Sequence, residues 1–173
     1  ELTVDEVITG LRNGVKKAAI SPICVCSATL NKGVTAILDV INTYMPSPAD
    51  RAPIPAKKEG SEDIVEVQPT DTAPFSALVF KTMADPYTGR LTIFRVFSGV
   101  LKGDTFYNST QKTSERFGQL YVLEGKEQKP VDFAGPGMII GVARLKETVT
   151  GDTLCDPANK IVFQAPEPLK PVI

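Results

Sequence analysis

Apolar residues near the start of the chain recur at helical intervals. Val4, Val7, Ile8, Leu11 and Val15 fall three or four positions apart, which sets them along one face of a helix. Thr3 followed by Glu6 supplies a capping box to begin it. Ser21-Pro22 forbids its continuation, because the residue before a proline is pushed out of the α region. Ile23, Cys24, Val25 and Cys26 are then apolar without interruption, and the run reads as a strand buried on both faces, its two thiols packed inside. A second helix carries Val34, Ile37, Leu38, Ile41 and Tyr44 on one face and ends before Pro46. The order is helix, strand, helix. A strand of this kind belongs in a sheet flanked by helices, and no partner strand is written nearby. Residues 1–46 are therefore expected to be the closing segment of a larger α/β domain, excised from its earlier strands and left with a bare apolar surface.

The grammar changes after Pro46. Between Pro46 and Pro74 the chain has six prolines, six acidic and three basic residues, and only residues 64–67 look strand-like. This stretch, 47–74, reads as a solvated linker with one short strand. Beyond it the signals are β throughout. Runs at 75–83 and 90–98 flank Asp85-Pro86-Tyr87-Thr88-Gly89, a turn with proline set for its first corner. Further strands are expected at 104–108, 116–123, 138–145 and 160–164. Six or seven short strands without helical periodicity predict a closed or nearly closed antiparallel barrel over 75–165.

Composition removes several chemistries. The chain of 173 residues contains no histidine, which excludes serine or cysteine catalysis with a histidine base and histidine-containing zinc sites. Its three cysteines have neither disulfide-framework nor zinc spacing. Lys plus Arg number 19 against 20 Asp plus Glu, and no stretch approaches the ~20 apolar residues that cross a bilayer, so a cytoplasmic protein with no membrane partner is expected. There is no Walker loop to cradle a nucleotide phosphate. Asp85, Asp104, Asp152 and Asp156 each adjoin glycine or proline and read as turn formers, which leaves no catalytic residue and no metal ligand to nominate. The interval from Lys81 to Arg116 holds six basic and three acidic residues. Its aromatics, Phe94, Phe97, Phe106 and Tyr107, either stack on bases or fill the barrel, with filling the more common use.

Several strings, taken in register, resemble the second domain of the elongation factor G family, the ribosomal translocases. They are Met83-Ala84-Asp85-Pro86-Tyr87-Thr88-Gly89-Arg90-Leu91, Arg95-Val96-Phe97-Ser98-Gly99-Val100-Leu101, Tyr107-Asn108-Ser109-Thr110, Glu115-Arg116, Leu145-Lys146-Glu147-Thr148 and Thr150-Gly151-Asp152-Thr153-Leu154-Cys155. Upstream, Cys26-Ser27-Ala28-Thr29-Leu30-Asn31-Lys32-Gly33-Val34 is similar to the last guanine-nucleotide motif of that family's GTPase domain. Ala165-Pro166-Glu167-Pro168 is similar to the approach to its third domain.

The resemblance implies a mixed fold: an α/β remnant of a GTPase domain over 1–46, a linker over 47–74, a translation-factor barrel over 75–165 and the start of a linker to domain III over 166–173. It implies that the backbone at Ser27, Ala28 and Thr29 meets the guanine base. Asn31-Lys32 lacks the aspartate of the family's separate guanine-reading motif and is read as loop. The intact protein would use GTP and magnesium to drive tRNA and mRNA movement, whereas this piece alone would bind neither and would not be an enzyme. Its partners would be the ribosome, through small-subunit RNA, the rest of its own GTPase domain, and domain III. Arg90, Arg95 and Lys102 are the candidate RNA contacts; Arg95 has the equal alternative of holding a carboxylate. A ribosome-recycling or ribosomal-protection paralogue, and a free-standing RNA-binding barrel, are the competing functions.

Overall fold

The computed structural model describes residues 2–85 and 89–165. Two compact units divide the chain at Arg51/Ala52. The expected turn at 86–88 and the approach to a third domain at 166–173 lie outside the described residues.

In the first unit, α1 (Val4–Lys16) begins as its sequence dictates. The Thr3 N–H donates to Glu6 Oε2 at 2.8 Å and the Glu6 N–H donates to Thr3 Oγ1 at 3.3 Å, which satisfies two of the orphan donors of the first turn. Helix α2 (Val34–Tyr44) starts from Gly33, whose φ of 74° is left-handed and whose missing Cβ would sit 3.2 Å from the Val25 carbonyl oxygen. Neither helix buries a single residue. The strand expected at 23–26 does not form. Its residues belong to no sheet, Ile23 and Val25 are each 92% exposed, and Cys24 and Cys26 are exposed, not buried. A strand exists only by pairing its backbone, and no neighbouring strand lies beside this run among the described residues. The bare apolar surface is present as expected: Leu2, Val4, Leu30, Leu38 and Ile41 are all more than half exposed.

The described residues of the second unit, from Ala52 on, form only strands and the turns between them. Residues 47–74 hold more order than a linker, with a 3-10 turn at Pro48–Asp50 and two strands, β1 (Ile54–Lys58) and β2 (Ile64–Val67). Then follow β3 (Ser76–Asp85), β4 (Gly89–Ser98), β5 (Thr105–Asn108), β6 (Thr113–Arg116), β7 (Leu120–Glu124), β8 (Glu127–Val131), β9 (Ile139–Ala143), β10 (Thr153–Cys155) and β11 (Ile161–Phe163). Eight strands pair antiparallel in the order β6-β5-β10-β3-β4-β9-β7-β8. The edges β6 and β8 are not joined to each other among the described residues, so the sheet is curled and not closed. One core runs through it, from Phe106 and Phe117 at one end to Leu120 and Ile140 at the other, with Val79, Phe94, Val96 and Leu154 fully buried.

The single strand expected at 116–123 is two. Phe117 and Leu120 are both buried although three positions apart, an interval that a continuous strand would send to opposite faces. Phe117 turns inward to stack on Phe106 at 5.6 Å, and the chain crosses to the other end of the sheet before Leu120. A smaller sheet, β11-β1-β2, packs on a second cluster in which Phe163 meets Phe97 edge-on at 4.9 Å and Cys155 is fully buried. Pro55 is tolerated inside β1 because β11 pairs only with Ala56, Lys57 and Lys58, so the missing N–H lies beyond that ladder.

Candidate functional site

In the first unit, a tight loop follows the extended run. Ser27 N–H donates to Lys32 O at 2.9 Å and Lys32 N–H returns the bond to Ser27 O at 3.0 Å, closing residues 27–32 into a hairpin-like turn. Inside it, Leu30 N–H donates to Ser27 Oγ at 3.3 Å and Asn31 adopts φ 49°. The N–H groups of Ala28 and Thr29, at the exposed tip, find no acceptor among the described residues. The three residues expected to meet a guanine base thus sit in this turn, two of them with backbone N–H groups that have no acceptor among the described residues.

In the second unit, the strings that carried the resemblance converge on one buried polar network. Glu115, on β6 and 8% exposed, accepts the N–H groups of Lys146 at 2.7 Å, Glu147 at 3.0 Å and Thr148 at 3.0 Å, together with the Thr148 hydroxyl. Burial pushes the Glu115 carboxyl up, but the bonds from the Thr148 hydroxyl and from three successive N–H groups outweigh it and hold the pKa below the usual carboxylate range. Arg90 grips the same loop from its carbonyl side, reaching Lys146 O at 3.4 Å and also Thr148 O. Asn108 donates to Thr148 Oγ1 at 3.0 Å and to Asp152 Oδ2 at 2.9 Å; Asp152 also accepts Val149 N–H at 2.8 Å and Gln111 Nε2 at 3.0 Å. Every oxygen of Glu115 and Asp152 is occupied by this chain's own donors. A general acid needs a raised pKa and a free proton path, and Glu115 has neither. The network holds the 146–149 loop in place and offers no proton chemistry.

The remaining carboxylates are local. Asp104 pairs with Arg116 at 2.5 Å, and Asp156 accepts Ala158 N–H at 2.8 Å in a turn. The side chain of Asp85 lies outside the described residues. Among the described residues no group of three or more Cys, Asp or Glu is placed to hold a metal, and no helix is long and apolar enough to cross a membrane. Phe94, Phe106 and Tyr107 are buried and Phe97 packs on Phe163, so these rings fill the fold and present no faces for bases.

The three RNA-contact candidates are separated. Arg90 and Arg95 lie on opposite faces of β4, five positions apart, with the β4 pairing to β9 regular from Leu91 to Arg95 and the register shift at Ile93/Phe94 taken up by the extra residue on β3. Arg90 is half-buried and engaged. Arg95 is exposed, flanked across the sheet by Leu78 and Ile139, and meets no carboxylate among the described residues. Lys102 is exposed on the loop after β4. Sequence reading passed over Arg144, which is exposed with φ 66°, a backbone state that leaves no mark in a single sequence.

The family model for elongation factor G domain 2 matches residues 74–157, the stretch that contains the whole network. The barrel is an elongation factor G domain 2. A solved structure from Thermus thermophilus superposes on 98% of the chain with a TM-score of 0.68 and 25% identity. This chain spans 22% of that one. The elongation factor G resemblance read from Arg90, Glu115, Thr148 and Asp152 therefore coincides with the residues that build the buried network.

Proposed function

We propose that this chain is part of a translational GTPase that promotes GTP-dependent ribosomal translocation in the cytoplasm, with its elongation factor G domain 2 coupling the GTPase domain to small-subunit RNA. The observation that carries the reading is the exposed apolar run at 23–26, leading directly into the Ser27–Gly33 loop. An exposed apolar run between two helices with no buried residue is what the last strand position of a nucleotide-binding α/β sheet presents when its neighbours are elsewhere. The residues present fit only the base end of the nucleotide. Ala28 and Thr29 offer two backbone donors to a guanine carbonyl, and Ser27 shapes the turn. GTP and its magnesium ion would supply the driving free energy of hydrolysis; the sequence of 173 residues has no Walker loop to cradle the phosphates. The remainder of the GTPase domain would cover the exposed face of α1 and α2, and a third domain would follow the barrel.

Two measurements test this. Calorimetry of the chain with GTP should give no measurable heat, because one base-contacting loop cannot offset the ligand's lost freedom. Tight binding refutes the reading. Sedimentation with small ribosomal subunits should show salt-dependent association, and its absence at low salt removes the RNA role. A translocation assay of the full-length protein separates translocation from ribosome recycling or protection.

A further inference from the structure

The smaller sheet is attached to the barrel differently from the way the barrel's own strands are joined. Its strands pair with one another, β1 between β2 and β11, and none of them shares a backbone ladder with the eight-stranded sheet among the described residues. An apolar seal and a few side-chain bonds hold it in place. Ala56, Val67, Ile161 and Phe163 are buried on its inner face, against Tyr107 and Cys155 of the larger sheet. The Phe163 N–H crosses the seal to Thr153 Oγ1 at 3.0 Å. This seal and the barrel core are separate clusters with no residue in common.

One polar cluster closes the margin of that seal. Glu59, in the turn after β1, accepts the Tyr107 hydroxyl on Oε1 at 3.0 Å, and Lys160, just before β11, stands 3.7 Å from its Oε2. The Lys160 ammonium also lies 4.2 Å from the centre of the Tyr107 ring. The Glu59 N–H donates to Lys160 O at 3.0 Å, so the backbone ties the two ends of the smaller sheet to each other while Tyr107 ties both to the barrel. Lys160 is exposed and its ion pair is screened by solvent, whereas Tyr107 is buried, so the Tyr107–Glu59 bond is the stronger member.

We propose that the smaller sheet opens from the barrel as one cooperative unit, with Glu59, Tyr107 and Lys160 as the catch that holds it shut. Because β1 and β11 both belong to it, one opening event releases the strand near each end of this unit while the eight-stranded core stays folded. The device is a property of the fold and stands whether or not the chain serves translocation.

Native-state amide exchange of the 173-residue chain, followed against urea, tests the proposal. Phe163, whose N–H is bonded across the seal, reads the smaller sheet; Val79 and Val96, bonded to Asp152 O at 2.9 Å and Met138 O at 3.0 Å, read the barrel. Phe163 and the β1 amides paired with β11 should share one opening, more frequent than that of Val79 and Val96 and with a smaller urea slope, because less surface is exposed. Tyr107→Phe removes the hydroxyl and keeps the ring, and should speed Phe163 exchange about fivefold, as one lost hydrogen bond does. Lys160→Met should add less in that background than it does alone, because the two residues act through the same carboxylate. Thr92→Val alters only the barrel, and should slow Val79 and Val96 about fivefold while leaving Phe163 unchanged. A single opening and urea slope common to Phe163, Val79 and Val96 overturns the proposal, and so does a Thr92→Val effect that Phe163 shares. Unaltered Phe163 exchange in Tyr107→Phe, or Tyr107→Phe and Lys160→Met effects that simply multiply, overturns the catch.

Discussion

Replacing Glu115 with alanine should be among the most damaging single changes in the barrel. The carboxylate satisfies four donors, two of them on Thr148, which is itself fully buried. Its removal strands the Thr148 N–H and hydroxyl in a dry interior at ~1–3 kcal/mol each. Lys146 and Glu147 are exposed, so their N–H groups turn to water at little cost. The sum is about 3 kcal/mol, against a total stability of ~5–15 kcal/mol for a domain. Glu115→Gln keeps one acceptor oxygen and should cost roughly half as much. The pH dependence follows from the sign of the shift. Because the folded pKa lies below the unfolded value, the contribution is complete above the unfolded pKa, near 4.3, and is lost as pH falls through the folded one. Wild type and Glu115→Gln should therefore converge in stability once the pH has fallen below the folded pKa. Amide exchange in β3 and β4, followed against urea, reads barrel unfolding apart from the helical unit. A Glu115→Ala loss under ~1 kcal/mol, or a gap to Gln that widens in acid, would refute the reasoning.

Other outcomes are equally specific. Thr92→Val should stabilise the barrel by about 1 kcal/mol in a urea titration, since the Thr92 hydroxyl is buried without a partner and valine keeps its shape. Gly99→Ala should unfold it or lower the melting temperature sharply: the backbone is at φ 64° and a Cβ there would collide with the Ala73 carbonyl oxygen and the Phe75 backbone. A thiol reagent should titrate two cysteines in the native chain and the third only on denaturation, because Cys24 and Cys26 are exposed whereas burial raises the pKa of Cys155.

The helices and the long strands were legible because their apolar spacing is the physics that forms them. The capping box of α1 is one example, and the β3–β4 pair is another. Strands whose stability comes from elsewhere left no such trace. β8 is Glu127-Gln128-Lys129-Pro130-Val131, polar at nearly every position, and exists because β7 offers it a ladder. β1 lay hidden behind Pro55, and β10 is three residues long inside a turn-like string. The run at 23–26 erred the other way, with strand composition and no strand to pair with. The polar network was visible only as family-like strings, since its members lie far apart in sequence and meet through sheet register. Glu115 and Thr148 are 33 positions apart.

The β1–β11 ladder has a consequence of its own. Ala56 pairs with Phe163, so the chain enters and leaves this unit along adjacent tracks. A body hung from its polypeptide at one place can be spliced between other domains like a cassette. It also makes the docking of β11 on β1 a late step of assembly. The loop that must close before those strands can meet is over a hundred residues long, and the eight-stranded sheet lies inside it.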